Sequence, residues 1–319
     1  MRLQQTQTAL GSVAVLTVVA ATSHAADAML GELWREISAF EARFSRFQPD
    51  SELTKLNQAA GHKVALSAEF MELLAAARRA SDATEGLFNP FILPALQRAG
   101  YRGSWPNPSV VDAQLDYSDR AVRGMESLET GAGWARIPID SALDFGGIGK
   151  GYLLDLLANL AEKRTTGYWF SLGGDIISGG FDDGHQPWRL GIQSAHENGE
   201  IIAQVENRSG HRLAVATSGV TKRRGPRHGG AWHHLVDPRS GQPSVSDVLT
   251  ASVVSDRACQ ADVLASCLVV LGTSKARPLL NRHSLSALLQ TAVTTPFSQG
   301  VHLIGDQIKL MTGPPESAS

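Results

Sequence analysis

Residues 144–152 read Asp144-Phe145-Gly146-Gly147-Ile148-Gly149-Lys150-Gly151-Tyr152, and an apolar run from Leu153 to Ala161 follows at once. The apolar run predicts a helix. Glycines just before a helix let backbone N–H groups approach an anion, and the helix N-terminus adds a favourable dipole. We therefore interpret the stretch as a phosphate-facing turn. A tight strand-to-helix turn that binds no ligand is the alternative.

The common phosphate-binding motifs do not fit this stretch. A P-loop requires glycine at position 144 and serine or threonine at position 151, where Asp144 and Gly151 stand. A dinucleotide-binding fingerprint would require glycine in place of Tyr152. The class of site must therefore be inferred from the motifs that follow along the chain.

Four further segments follow in order: Ser171-Leu172-Gly173-Gly174-Asp175-Ile176, Ala216-Thr217-Ser218-Gly219, His233-His234-Leu235-Val236-Asp237-Pro238-Arg239-Ser240-Gly241-Gln242-Pro243, and a predicted helix carrying Asp262 and Ser266. Together with residues 144–152 they resemble the ApbE family, the FAD:protein FMN transferases. That family typically shows D-L-G-G-I-A-K-G-Y, N-x-G-G-D-I, A-T-S-G, H-I-I-D-P-x-T-G-x-P and A-D-A-x-A-T in this order. The resemblance runs from about Leu10 to about Leu289 and rests on five motifs at matching spacing.

Hydrophobic periodicity predicts helices in the first third of the chain. Apolar residues recur every three or four positions from Leu30 to Phe44, which indicates one face of an amphipathic helix. A short helix is expected after Ser51, and Ser67 is a suitable N-cap for another. Residues 86–108 are rich in proline and glycine, which predicts an irregular, ordered region.

Short β-rich runs dominate from Tyr168 onward and favour antiparallel strands over βαβ repeats. Two helices are expected near 257–271 and 274–282. We predict one α+β domain over residues 1–311, ApbE-like, with an antiparallel-rich sheet and flanking helices. A polar, disordered tail is expected at 312–319.

The N-terminal segment can be interpreted in two ways. An apolar run, Val13 to Ala21, followed by Ser23-His24-Ala25 imitates a secretory signal with its cleavage site. The same run alternates as a β-strand would, and it is too short to span a bilayer. The resemblance favours the strand, so we expect an uncleaved, cytoplasmic protein without a transmembrane segment, with export as the alternative.

Composition limits the partners. The 319 residues are 43% hydrophobic and carry a net charge of −2, which gives no general attraction to nucleic acid or to anionic membranes. A local basic run, residues 222–228, is interpreted as solvated surface, with steering of an anionic substrate as the alternative. Cys259 and Cys267 form no C-x-x-C pair and are expected to be buried free thiols.

The resemblance implies an FAD site and a metal site. Its FAD contacts fall on Leu10, Phe47, Leu87, Phe88, Asn89, Asp144, Lys150 and Val236. Its Mg²⁺ ligands fall on Asp262, Ser266 and the carbonyl of Gly147. Ala265 stands where some relatives carry a second Asp, so the metal would be held by fewer charges. Hard oxygen ligands such as a carboxylate and a hydroxyl do suit Mg²⁺.

Each assignment has a plainer alternative. Phe47 and Phe88 could be core residues, Asp144 a turn cap, and Lys150 a solvated residue or a member of a structural ion pair. Asp262 and Ser266 could form an ordinary polar helix face.

The implied reaction moves FMN from FAD to a Thr or Ser hydroxyl of an acceptor flavoprotein and releases AMP. His234 is our candidate for the base, because the pKa of an unperturbed histidine lies near neutrality. A histidine hydrogen-bonded in a turn is the alternative. The competing functions are an FAD-binding or FAD-delivery protein without catalysis, and hydrolysis of FAD to FMN and AMP.

Overall fold

The computed structural model describes residues 1–101, 103, 121–196, 199–222, 224–227, 230–292 and 300–311, with the backbone alone at 225–227 and 230–232. The strands are β1 (Arg2–Ala9), β2 (Ser12–Val19), β3 (Val64–Ala65), β4 (Glu129–Gly131), β5 (Trp134–Arg136), β6 (Gly167–Leu172), β7 (Asp175–Gly180), β8 (Trp188–Gln193), β9 (Ile201–Asn207), β10 (Leu213–Gly219), β11 (Arg224–Arg227), β12 (Gly230–His233), β13 (Val236–Asp237), β14 (Gln242–Pro243), β15 (Val248–Ser255), β16 (Ser286–Thr291), β17 (Val301–Ile304) and β18 (Lys309–Leu310). The α-helices are α1 (Ser23–Phe44), α2 (Glu52–Gln58), α3 (Ala68–Ala83), α4 (Leu93–Arg98), α5 (Gly149–Ala161), α6 (Ala258–Leu271) and α7 (Thr273–His283), with 3-10 turns at Pro90–Ile92 and Met125–Ser127.

One antiparallel sheet of eight strands organises the fold, in the order β1-β2-β6-β7-β10-β15-β16-β17. A smaller sheet, in the order β18-β9-β8, packs on one of its faces, and helices pack on the other. Side chains along each strand point alternately to the two faces of the sheet, as β10 shows. Ala214 and Ala216 pack in the core shared with the helices, whereas Val215 packs in the core against β8 and β9. The expected α+β architecture with an antiparallel-rich sheet and flanking helices is confirmed.

The helical predictions for the first third of the chain are confirmed. The apolar face of α1 is buried at Leu30, Leu33, Ile37, Phe40 and Phe44. Ser51 caps α2 by accepting from the N–H of Thr54, and Ser67 caps α3 by accepting from the N–H of Phe70. The proline-rich region contains only short elements, such as α4, where the structure describes it.

The run interpreted as the first strand forms β2, which lies inside the sheet between β1 and β6. Strand β1 was not predicted, because its Arg-Leu-Gln-Gln-Thr-Gln-Thr-Ala sequence has little apolar alternation and the strand lies at the edge of the sheet. Helix α5 begins at Gly149, four residues before the predicted start at Leu153. Part of the glycine-rich stretch is therefore helix, not turn.

Some expectations lie outside the described residues. They concern the disordered tail at 312–319 and, in the basic run, Arg223, His228 and the side chain of Arg227. Lys222 and Arg224 are exposed, in agreement with the solvated-surface interpretation. None of the helices in the described ranges is long and apolar enough to cross a membrane.

We expect the two thiols to be unreactive in the folded protein. Burial raises the pKa of Cys259 and of Cys267 to about 12, so almost no thiolate is present at pH 8. Modification by a thiol-exchange reagent should be at least about tenfold slower than that of a small free thiol. Cys267 is buried as expected, whereas Cys259 is only partly buried. Both cysteines should react at once in denaturant, and fast reaction of the native protein would contradict the raised pKa values.

Candidate active site

Helices α5 and α6 meet at the glycine-rich stretch. The N–H of Gly151 donates to Oδ2 of Asp262 at 3.1 Å. A Cβ atom on Gly151 would lie 2.4 Å from the carbonyl oxygen of Ala258 and 2.8 Å from Cβ of Asp262. Gly151 is therefore required by close helix packing. The sequence interpretation, which explained all four glycines by approach to an anion, is corrected at this position.

Lys150 lies between two buried carboxylates. Its Nζ forms an ion pair with Asp175 and lies 3.9 Å from Oδ1 of Asp262. Asp175 is only 1% exposed, and its Oδ1 accepts from the N–H of Thr217 at 3.0 Å. The fold thus brings together the segments that contain Lys150, Asp175 and Asp262, which are far apart in the sequence. Lys150 forms the ion pair that the sequence analysis gave as an alternative, and it is not a fully solvated residue.

A pair of serine hydroxyls links α6 to β10 on the helix side of the sheet, where Ser266 Oγ donates to Ser218 Oγ at 3.1 Å. The hydroxyls of Thr217 and Ser252, 2.7 Å apart, belong to the opposite face, because the adjacent Ala216 and Ala251 face the helices. Asp262 is 5% exposed, so it is a buried carboxylate rather than a residue on a polar surface. One carboxylate among hydroxyls supplies the hard oxygen ligands that Mg²⁺ prefers. In the described part of the chain, no group of three or more His, Cys, Asp or Glu could hold a metal, so additional ligands would have to be water, carbonyl or phosphate oxygens.

A second cluster forms around Asp144. Its Oδ2 pairs with Nε of Arg46 at 2.8 Å, and its Oδ1 accepts from the N–H of Gly146 at 2.7 Å. Asp144 therefore caps the turn, as the alternative interpretation held, and also forms an ion pair. The Arg46 side chain is 8% exposed, and its guanidinium carbon lies 4.2 Å from the centre of the Phe47 ring and 4.9 Å from that of Tyr101.

The sequence analysis missed Arg46, Tyr101 and Asp175 as site residues. Arg46 and Asp144 are separated by 98 positions, and no local pattern signals such a pair. Asp175 could have been identified from the Gly173-Gly174-Asp175 motif, because an acidic residue next to paired glycines indicates a candidate site residue.

His234 lies near this second cluster. The centre of its ring is 6.2 Å from that of Tyr101. The neighbouring His233 lies 3.0 Å through Nε2 from the carbonyl oxygen of Ser244, which indicates a structural role for His233. Val236 is buried beside Tyr101 in a small apolar cluster. His234 and Val236 thus lie on the side of the site that carries Arg46 and Asp144.

The remaining predicted FAD contacts differ in environment. Phe47 is 47% exposed, so ordinary core packing does not explain it, whereas Phe88 is buried in the main core. Asn89 is held by its neighbours, since Nδ2 donates to the carbonyl of Arg123 and Oδ1 accepts from the N–H of Phe91. Leu87 is partly buried against the main core. A Cβ atom on Gly147 would lie 3.6 Å from the Phe88 ring.

Leu10 lies in the tight turn between β1 and β2 and adopts a φ of 52°. The N–H of Gly173 donates to the carbonyl of Val13, and a Cβ atom on Gly173 would lie 3.7 Å from Cδ of Lys150. The β1–β2 turn and the β6–β7 turn therefore meet next to Lys150. The φ of 62° at Gly173 and the lack of space beside it explain why glycine is required there.

Comparison with known proteins identifies the family. The ApbE family model matches residues 10–289. An FAD:protein FMN transferase of Klebsiella pneumoniae (strain 342) is 25% identical over 281 residues, covering 86% of this chain and 80% of that protein. An FAD:protein FMN transferase of Treponema pallidum (strain Nichols) is 31% identical over 278 residues, covering 82% of this chain and 75% of that protein.

Solved structures share the fold. The apo form of the Pseudomonas stutzeri flavinyl transferase ApbE superimposes with a TM-score of 0.77 at 23% identity, covering 95% of this chain and 94% of that one. The ApbE protein of Thermotoga maritima gives a TM-score of 0.79 at 22% identity, covering 91% and 94%. The family match over residues 10–289, the similar fold and the motifs gathered around Lys150 together show that this chain belongs to the ApbE family.

Proposed function

We propose that the protein is an Mg²⁺-dependent FAD:protein FMN transferase, which moves FMN from FAD to a Thr or Ser hydroxyl of an acceptor flavoprotein and releases AMP. The observation that carries the proposal is the convergence on Lys150 of Asp175 and Asp262, which come from separate segments of the chain, with Gly173 of the β6–β7 turn beside the lysine side chain. The names of the curated relatives support flavin transfer as the activity.

FAD is assigned to the region between Lys150 and the Asp144 cluster. The exposed ring of Phe47 offers a flat apolar face to the isoalloxazine, and Leu10 and Leu87, which are partly exposed, add apolar surface, with Val236 buried behind Tyr101. The Lys150 ammonium has three donors, so it can pair with Asp175 and still donate to a phosphate oxygen. Asp144 and Asn89 already have protein partners, so in this proposal they would meet FAD with their orientation set by the protein.

Mg²⁺ would be held by Asp262, Ser266 and the carbonyl of Gly147. When bound, it would neutralise negative charge on the pyrophosphate of FAD. With Ala265 next to Ser266, the proposed set of metal ligands has one carboxylate, so the metal would depend on water and on the phosphates of FAD for its other ligands. The structure is consistent with a cation that binds together with its substrate.

The reaction balances as a phosphoryl transfer. The acceptor hydroxyl forms a P–O bond to the FMN-side phosphorus, the pyrophosphate P–O bond breaks, and AMP leaves with the electron pair. The hydroxyl proton passes to His234 as the proposed general base. Such reactions depend mainly on positioning and on charge neutralisation, which the buried polar site can provide.

Replacing His234 with alanine should slow FMN transfer about 100-fold or more and leave FAD affinity within about twofold, because a general base contributes mainly to the chemical step. Single-turnover transfer and FAD titration would separate the two effects. His233→Ala is the matched control, since its Nε2 lies beside the carbonyl of Ser244. An unchanged transfer rate in His234→Ala would remove this residue from the mechanism.

A non-catalytic FAD-binding or FAD-delivery protein is the second candidate function. Such a protein has no need for a buried Asp262 with Ser266 one turn further along α6, and their presence favours the enzyme. Hydrolysis of FAD is the third candidate, and it would use the same residues with water as the acceptor.

AMP release from FAD distinguishes the three candidates. The assay would be run with Mg²⁺ and with chelator, in the presence and absence of a peptide or protein carrying a candidate threonine. AMP release together with a matching mass gain on the acceptor supports the transferase. AMP without a mass gain indicates hydrolysis, and tight FAD binding with no AMP, given a suitable acceptor, would overturn the proposed activity.

A further inference from the structure

Helices α5 and α6 cap each other. Oδ1 and Oδ2 of Asp155, on α5, accept from the N–H groups of Ala258 and Cys259 at 2.9 and 3.0 Å. Oδ2 of Asp262, on α6, accepts in turn from the N–H of Gly151 in the first turn of α5. The first N–H groups of a helix have no partner within the helix and need an acceptor from elsewhere. Each helix obtains that acceptor from the other.

Neither helix has a side-chain cap of its own. The N-cap residue of α5 is Ile148 and that of α6 is Arg257, and neither forms a side-chain capping hydrogen bond. The two carboxylates therefore replace the usual Ser, Thr, Asp or Asn cap. The spacing is the same in both helices. Asp155 follows Gly151 by four residues and Asp262 follows Ala258 by four residues, so each capping carboxylate lies about one helical turn after the N–H group that the other helix caps.

We propose that Asp155 is a positioning residue for Asp262: it anchors the start of α6 and so holds the Asp262 carboxylate at the N-terminus of α5 and beside Lys150. Its effect on metal affinity rests on the proposed metal site, whereas its effect on the Gly151–Asp262 hydrogen bond does not. Asp155 makes its contacts one turn before Asp262, so it acts through the backbone of α6.

The packing around this junction supports the proposal. The absence of a side chain at Gly151 lets the backbone of α5 approach Ala258, the first residue of α6 and the one that Asp155 holds. Ser266 lies one further turn along α6, with its hydroxyl on Ser218. A shift at the start of α6 would therefore move both residues that are proposed to bind the metal. Burial raises the pKa of Asp155 above its ordinary value, and the N–H groups of Cys259 and Ala258 oppose that rise.

The first test measures amide hydrogen exchange in Asp155→Asn by NMR. The Gly151 N–H is held by Asp262 alone, whereas the adjacent Tyr152 N–H is held by the carbonyl of Ile148. We expect protection of the Gly151 amide to fall at least about tenfold, with protection of the Tyr152 amide nearly unchanged. Ser67→Ala, which removes the cap of α3, is the control for a general loss of stability and should leave Gly151 protected.

The second test measures Mn²⁺ affinity of the full chain by electron paramagnetic resonance, with FAD at a saturating concentration and no acceptor protein, because the phosphates of FAD are proposed to complete the metal's ligands. We expect Asp155→Asn to weaken Mn²⁺ binding about tenfold or more, and the double variant Asp155→Asn/Asp262→Asn to bind no more weakly than Asp262→Asn alone. Ser67→Ala should bind as the wild type does.

The two readouts separate the possible failures. Unchanged exchange at Gly151 in Asp155→Asn would overturn the positioning role, whatever the metal does. Wild-type protein that binds no Mn²⁺ would overturn the proposed metal site, while the exchange of the Gly151 amide would still decide the role of Asp155. Equal loss of protection at Gly151 and Tyr152 would show fraying of α5 as a whole and would also overturn the proposal.

Discussion

Asp262→Asn should reduce Mg²⁺-dependent FMN transfer at least about 100-fold while the protein remains folded. Asparagine keeps an oxygen that can accept from the N–H of Gly151, so the contact between α5 and α6 is retained. The substitution removes the negative charge that is proposed to hold the metal, and loss of one preorganised electrostatic contact at a reacting phosphate costs about this much in rate.

The measurement is AMP release and mass gain on the acceptor, across a range of Mg²⁺ concentrations. Asp183→Asn, an exposed aspartate, is the control for loss of one negative charge and should transfer FMN normally. Thermal unfolding should place both variants within a few degrees of the wild type. Normal transfer by Asp262→Asn would show that the metal assignment is wrong.

Asp262→Ala is expected to lose transfer as well, but for two reasons. It removes the charge and also leaves the buried Gly151 N–H without an acceptor, which costs about 1–3 kcal/mol. The asparagine variant isolates the first effect. Comparing the two by thermal unfolding therefore measures what Asp262 contributes to structure apart from chemistry.

Local patterns in the sequence predicted the helices well. The apolar spacing along α1 and the serine caps of α2 and α3 depend on residues within a few positions of each other. Strand β1 escaped prediction because an edge strand can be polar on both faces, and its pairing with β2 depends on the sheet.

The site was only partly predictable, since its decisive contacts join distant segments. The motif residues Asp144, Lys150 and Asp262 were identified by resemblance, but their partners were not. Arg46, which pairs with Asp144, and Asp155, which caps α6, carry no signal in the local sequence. Their roles follow from the side chains that the fold brings within hydrogen-bonding distance.

The glycine-rich stretch shows the limit of a motif most clearly. Glycine can be required because a ligand approaches, because φ is positive, or because another part of the protein lies too close for a side chain. The sequence favoured the first reason for the whole stretch. At Gly151 the structure supplies the third reason, since the backbone of Ala258 occupies the space where Cβ would be. This difference leads to a prediction about stability.

Gly151→Ala should destabilise the protein by about 3 kcal/mol, at the upper end of the usual cost of overpacking. The added Cβ would lie 2.4 Å from the carbonyl oxygen of Ala258, and a backbone atom cannot move aside as the end of a flexible side chain can. Helices α5 and α6 would have to separate. Thermal or denaturant unfolding measures the loss, and weaker Mn²⁺ binding should accompany it because Asp262 would move.

Gly149→Ala is the matched control, because it places the same methyl group two residues away in the same helix. Its Cβ would make ordinary contacts, with the Phe40 ring 3.8 Å away, and alanine is the better helix former. We therefore expect Gly149→Ala to unfold at the wild-type temperature or slightly above it. If the two alanine variants unfolded together, close packing would not be the reason for glycine at 151, and the anion-binding interpretation of this position would regain its support.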